Sequence, residues 1–364
     1  MKKKMLFIVV SLDLGGTENY LLRFLDFTKD KNIEPIILCK RGVAGALENN
    51  FLALDVKIVK MKVNNLPSIS WIRFYNFLKN EKIDTVCDFT GNFAGITLAI
   101  SKLVGIRKRI VFYRKSTNLF YEDKFRLIYN NWLNKLTFYF STKILSNSYD
   151  ALHFFYSDKI NEEKNKFRVI RNGLPLAKFN NKININQLRE SINIPKEAFL
   201  IGHVGRFHPD KNHDTLVKVA NNILKKHHNV YFLIIGRGVK KGISKNKVHE
   251  RIILSNERSD IPDILQIMDA FYFPSISEGQ PNALIEAMTS GLPFVASDIA
   301  TVKESIPENY HKYLVPFNDI YKAEKKLTSF INKNSKSLFS QVQQFALSKY
   351  NSEDRFIEFY NELK

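Results

Sequence analysis

Apolar residues in this chain fall into short continuous runs, and between the runs lie stretches with helical spacing. Met5–Leu12, Glu34–Cys39, Val56–Lys62, Thr85–Phe89, Arg109–Tyr113, Lys143–Asn147 and Arg168–Arg171 read as strands. They are short, rich in Ile and Val, and bounded by turn residues. Glu18–Lys29, Val43–Asn50, Ser70–Asn80, Gly95–Val104 and Asp123–Phe140 read as helices between them. Residues 175–196 carry Pro175, Pro195 and several Asn, and read as a linker. The alternation then restarts. Strands are expected at Phe199–Val204, Tyr231–Ile235, Ile252–Leu254, Ala270–Phe273 and Pro293–Ala296. Helices are expected at Asn212–His227, Ile261–Met268 and Pro281–Thr289, with a final aromatic helical stretch at Ser337–Leu363. Strands alternating with helices predict parallel sheets covered on both faces, so the fold class is α/β with two Rossmann-like, doubly wound domains. Such sheets bind ligands beyond the carboxyl ends of their strands, here in a central cleft.

Length agrees with two domains, since 364 residues exceed an ordinary single core. Two cysteines, Cys39 and Cys87, are too few for a secreted disulfide framework. Lys2–Lys4 ahead of Met5–Leu12 resembles a signal peptide, but no A-x-A site follows and Asp13 with Gly15-Gly16 comes at once. A buried first strand is the better reading, and a cytoplasmic location follows. The net charge of +19 is uneven: residues 1–180 hold 30 Lys and Arg against 16 Asp and Glu, an excess of 14. That field suits an anionic partner, either a phosphorylated substrate or an acidic membrane surface; a solubility surface explains it equally well. No nucleic-acid recognition motif accompanies it.

Three segments carry candidate chemistry. The first strand runs through Gly15-Gly16-Thr17-Glu18 into a helix, which brings backbone N–H groups close to an anion; the plain alternative is a tight turn capped by Thr17. A nicotinamide site would want an acidic residue ending the second strand, and Cys39-Lys40-Arg41 stands there instead. After Phe199–Val204 comes Gly205-Arg206-Phe207-His208-Pro209-Asp210-Lys211-Asn212, in which Arg206 and Lys211 can neutralise a diphosphate together. The third segment runs from Phe273 to Pro293. Glu278 ends its loop, Pro281 suits a first helical turn, and Glu286 points from the side of that helix. Two such carboxylates can hydrogen-bond two polyol units, although an E-x7-E pair also occurs by chance. No D-x-D occurs, and His and Cys are too scattered to hold a metal.

LGGTENYL (14–21), VIRNGLPLAKF (169–179), GRFHPDKN (205–212), RSDIPDILQIMDAFYFPS (258–275) and SEGQPNALIEAMTSGLPFVASD (277–298) stand in one order through nearly the whole chain. In this combination the sequence resembles the GT-B glycosyltransferases of family 4, retaining enzymes that use nucleotide sugars, and is similar to bacterial enzymes of capsule, exopolysaccharide and lipopolysaccharide assembly. The resemblance implies an acceptor-binding domain over 1–178 and a nucleotide-sugar domain over 190–344, with a C-terminal helix of about 345–364 packing back on the first. It implies a donor, expected to be a UDP-sugar, as substrate, no cofactor and no metal. The acceptor would be a glycan or a polyprenyl-diphosphate-linked glycan at the inner membrane face, the protein being peripheral there.

Residue by residue, the resemblance gives Arg206 and Lys211 to the diphosphate and Glu278 with Gly279 to the donor sugar. It gives Gly15 and Gly16 to the donor phosphates, together with the N–H groups of Asn282, Ala283 and Leu284. Glu286 would hold the ribose and Arg258 would border the base. Where relatives carry a His after a mid-domain strand, this chain has Val111–Thr117, so Tyr113, Arg114 and Lys115 fall on the acceptor side. A sugar-nucleotide epimerase or hydrolase on the same fold, and a non-catalytic basic binding module, are the alternatives.

Overall fold

The computed structural model describes residues 2–66, 68–114, 124–244, 248–331 and 335–364. Lys115, one of the three acceptor-side candidates, lies outside them. Two compact units emerge: Met1–Asn172 with Glu353–Lys364, and Gly173–Ser352.

The first unit is built on β1 (Lys3–Val9), β2 (Ile33–Cys39), β3 (Lys57–Lys60), β4 (Thr85–Asp88), β5 (Lys108–Tyr113), β6 (Lys143–Ser146) and β7 (Phe167–Val169). All pair in parallel, in the order β3-β2-β1-β4-β5-β6-β7. β1 registers Leu6 against Ile36 on one side and Val86 on the other. Met5 to Val9 are wholly buried, as a central strand covered on both faces demands. The order reverses between β1 and β4. Chain segments leaving those two strands diverge there, which opens a crevice at their carboxyl ends.

The second unit repeats the plan with β8 (Phe199–Val204), β9 (Val230–Ile235), β10 (Ile252–Ser255), β11 (Ala270–Phe273), β12 (Phe294–Ser297) and β13 (Leu314–Val315). Their order is β10-β9-β8-β11-β12-β13, again all parallel, with the reversal between β8 and β11.

Residues 340–363 form two helices rather than one. Ser340–Lys349 belongs to the second unit, where Gln343 Nε2 donates to the Thr289 carbonyl at 3.1 Å. Ser352–Leu363 crosses to the first unit and buries Phe356 and Phe359. Phe359 meets Phe24 at 4.5 Å between ring centroids, and Phe356 meets Tyr20 at 5.5 Å. Each fully buried ring contributes about 1.5–3 kcal/mol. Helix Lys124–Phe140 packs closely on helix Gly95–Leu103, because a Cβ at Gly95 would stand 2.8 Å from Leu136 Cβ. Leu133 faces inward, whereas Phe125, Ile128, Trp132 and Tyr139 are exposed. No helix of the described residues is long and apolar enough to cross a membrane.

Candidate functional site

In the second unit, the loops that leave β8 and β11 stand at the reversal of strand order, and backbone bonds fasten them together. Ile276 N–H donates to the Asp210 carbonyl at 2.7 Å. Asn212, in the left-handed conformation at φ 55°, donates from Nδ2 to the Pro274 and Phe317 carbonyls at 3.2 and 2.8 Å. A third loop supports the first: Phe207 N–H donates to Arg237 O at 2.8 Å, and a Cβ on Gly236 would fall 1.9 Å from Gly205 O. That position therefore excludes any side chain. Asn212 stood in the loop motif without a role, and Gly236 went unnoticed in sequence; the Gly236-Arg237-Gly238 run after a strand is the signal that could have marked it.

This scaffold brings Lys211 and Glu278 together. Lys211 Nζ donates to Glu278 Oε1 at 2.5 Å, with the two side chains 19% and 10% exposed. Arg206 lies exposed in the same loop and has no ion-pair partner among the described residues. Helix Asn282–Thr289 begins just beyond Glu278, with Pro281 as its cap residue. Its first intrahelical bond runs from Ile285 N–H to Pro281 O at 3.0 Å, so the N–H groups of Ala283 and Leu284 precede the helical bonding pattern. Asn282 differs: its N–H donates to the Gln280 carbonyl at 2.9 Å, so a phosphate contact there needs that turn to open. Gly279 links the loop to the helix, and Glu286 sits half-buried one turn further on. Arg258 stands apart. It follows β10, two strands from β8, and its guanidinium grips Asp260 at 2.8 and 2.5 Å, which raises its own pKa and holds the Asp260 carboxyl low.

Two histidines lie beneath the Arg206–Lys211 loop. His203 Nδ1 stands 3.0 Å from the Tyr272 carbonyl, which assigns the proton to Nδ1. Burial, reinforced by His213, draws its pKa down to about 3; burial likewise draws His213 down to about 4. Both are neutral structural groups at pH 7.

In the first unit, Gly15 is the cap residue of helix Gly16–Phe27, so Thr17 lies inside the helix and is not its cap. The Glu18 carboxylate folds over the helix start, where it would stand 2.2 Å from a Cβ on Gly15, while Gly16 has open space around it. Tyr113 ends β5 buried, its hydroxyl 2.7 Å from Tyr156 Oη and donating to Asn134 Oδ1 at 3.0 Å. Arg114 stacks its guanidinium over Tyr20, 3.9 Å from the ring centroid. Groups of three or more His, Cys, Asp or Glu able to hold a metal do not occur among the described residues.

Two doubly wound units with paired polar loops at their switch points define the GT-B class. Residues 184–344 match the family model of the glycosyl transferases group 1. It is 26% identical over 346 residues to a UDP-Gal:alpha-D-GlcNAc-diphosphoundecaprenol alpha-1,3-galactosyltransferase of Escherichia coli, covering 88% of this chain and 84% of that protein. It is 29% identical to the capsular polysaccharide biosynthesis glycosyltransferase CapH of Staphylococcus aureus, over 81% of each. The fold is shared with Anabaena Alr3699/HepE, solved with UDP and glucose, at a TM-score of 0.79, 17% identity and 99% coverage of both chains. The protein is accordingly a glycosyltransferase.

Proposed function

We propose that the protein is a retaining, metal-independent transferase of bacterial surface polysaccharide assembly. It moves a sugar from a UDP-sugar to a glycan or a polyprenyl-diphosphate-linked glycan. The observation that carries this reading is the Lys211–Glu278 pair, set against the open first turn of helix Asn282–Thr289 with Arg206 in the same loop. The names of the galactosyltransferase relative and of the UDP-bound structural neighbours support the donor and the acceptor class.

The chemistry follows from charge. As the bond from the sugar's anomeric carbon to the diphosphate oxygen breaks, negative charge grows on the diphosphate. Arg206, Lys211 and the N–H groups of Ala283 and Leu284 are held ready for it, which stabilises the transition state without reorganisation. Glu278 accepts hydrogen bonds from donor sugar hydroxyls, Glu286 from the ribose, and Arg258 flanks the base. The acceptor hydroxyl attacks the face that the diphosphate is leaving, and its proton passes to the departing phosphate oxygen. Neither a protein nucleophile nor a separate base is then required.

The acceptor would be met at the membrane. Phe125, Ile128, Tyr129 and Trp132 repeat at helical spacing on helix Lys124–Phe140 and are exposed, Phe125 by 86%. In a half of the chain with an excess of 14 positive charges, such a stripe suits peripheral docking on anionic lipid.

A thermal-shift panel of nucleotide sugars tests the donor. A true donor at a hundredfold excess over Kd stabilises the fold by about 2.7 kcal/mol. UDP-sugars should raise Tm and Lys211→Ala should abolish the rise. Equal shifts in the wild type and in Lys211→Ala would place the donor elsewhere. Labelled donor without acceptor separates transfer from epimerisation, because rapid epimer formation would replace this reading.

A further inference from the structure

A cavity of about 750 Å³ opens at the carboxyl ends of β1, β2, β4 and β5 in the first unit. That volume suits a ligand the size of a phosphorylated sugar. Four cations line it: Lys40, Arg41, Lys62 and Arg114; among the described residues the one acidic lining group is Glu18. Two of the four are unusual in their bonding.

Lys40 is 9% exposed. Its ammonium donates to Asn65 Oδ1 at 3.1 Å and to the Phe93 carbonyl at 2.5 Å, both neutral acceptors. Asp88 lies near enough to favour its charge, but the carboxylate is taken. Oδ1 accepts from Thr90 N–H and Oγ1 at 2.7 and 2.6 Å, and Oδ2 from Thr97 Oγ1 at 2.5 Å. Burial accordingly lowers the Lys40 pKa. Arg114 lies between Tyr20 and Phe112, with Nε and Nη1 buried and without geometric hydrogen-bond partners among the described residues, while Tyr20 and Glu18 lie near enough to favour its charge. A buried cation is normally paired, because burying an ion that is matched only by neutral groups is costly.

We propose that this cavity is a phosphate-recognition site for the acceptor, in which Lys40 and Arg114 at the base and Arg41 and Lys62 at the mouth bind the phosphate ester of a sugar phosphate or diphosphate. The inference rests on the acceptor class given above. It makes the anionic linkage itself a specificity determinant, so that the same sugar without its phosphate is a poor ligand. It also separates two anion sites: the donor diphosphate belongs to Arg206 and Lys211, the acceptor phosphate to this cavity.

The test is calorimetric titration of the full chain with N-acetylglucosamine 1-phosphate, N-acetylglucosamine and UDP in turn. The sugar phosphate should bind at least tenfold more tightly than the neutral sugar. Arg41→Ala/Lys62→Ala removes two exposed side chains and leaves folding intact; Lys40→Met removes the buried charge. Each should weaken sugar phosphate binding tenfold or more while UDP binding is unchanged. Lys29→Ala, an exposed lysine outside the cavity, should change neither. The proposal is overturned if the sugar phosphate fails to bind, if both cavity variants bind it as the wild type does, or if Lys211→Ala is the variant that abolishes it. Loss of UDP binding by the wild type would instead count against the donor reading alone. Vesicles carrying a prenyl-diphosphate-linked sugar give the lipid arm: capture that depends on Lys40 and Lys62 extends the site to lipid-linked acceptors, and capture indifferent to both rejects it for them.

Discussion

Replacing Lys211 by Met removes the cation that stands 2.5 Å from Glu278 and should have two separable effects. The first is on stability. Glu278, with its side chain only 10% exposed, would keep a charge that has lost this counter-ion. Stranding a partly buried charged group costs about 1–3 kcal/mol. In a unit of Gly173–Ser352, Tm should fall by about 2–4 °C per kcal/mol, or about 2–12 °C altogether. The second effect is on transfer. Removing one preorganised charge at a developing anion costs about 100- to 1000-fold in kcat. Adding Glu278→Gln separates the two. The amide is neutral and needs no counter-charge, so the double variant should recover most of the lost Tm. It should recover none of the lost turnover, because the diphosphate still lacks its cation. Thermal unfolding and a labelled-donor transfer assay read these independently. Turnover returning together with Tm in the double variant would refute the reasoning, since Lys211 would then be a structural partner of Glu278 and nothing more.

Acid should loosen the donor loop first. Burial holds His203 and His213 at about 3 and about 4, so below about pH 6.5 the unfolded chain takes up protons that the folded chain refuses. Stability therefore falls as pH drops from about 6.5 towards 4, and His203→Phe should flatten the plot of Tm against pH; an unchanged slope would dismiss the pair as its cause. Gly236→Ala forces a methyl group against the Gly205 carbonyl, whereas Gly202→Ala meets the movable Met268 side chain, so by differential scanning calorimetry the first should lose more stability. Phe359→Ala removes a ring that packs on Phe24 and Phe112, at a cost of about 3–5 kcal/mol measured by urea unfolding. Phe125→Ser/Trp132→Ser should lower binding to anionic vesicles in a flotation assay, and high salt should lower wild-type binding as well.

The fold was legible where apolar runs are continuous and sharply bounded. β8 and β11 occupy the residues expected of them, Phe199–Val204 and Ala270–Phe273, because a glycine or a proline closes each run. It was illegible where a polar contact creates the element. Helix Ile185–Ser191 lies inside the expected linker, and the buried Arg189 fixes it by donating to Ile267 O, Ala198 O and Asp269 Oδ2. Hydropathy counts that arginine as surface. The expected single helix of about 345–364 breaks because Leu174 clamps the chain, donating N–H to Tyr350 O and accepting from Ser352 N–H. Helix Tyr149–Tyr156, capped by Ser148, was hidden because aromatics stand on more than one of its faces.

The candidate site shows the same division. Motif order points to Arg206, Lys211 and Glu278 from sequence, and to Arg114 only as one of three acceptor-side positions, while Lys40 is merely one among 55 basic residues. What distinguishes them is bonding. Lys211 has a carboxylate in hand. Lys40 is met by an amide and a carbonyl, and two nitrogens of Arg114 by no acceptor among the described residues, in a cavity whose walls limit screening by water. An anion entering there meets cations that no direct carboxylate bond occupies among the described residues, at a lower dielectric, where attraction is several times stronger than at the surface. The informative part of the +19 is therefore the few cations that the fold has buried without neutralising, and these are the groups that a net charge averages away.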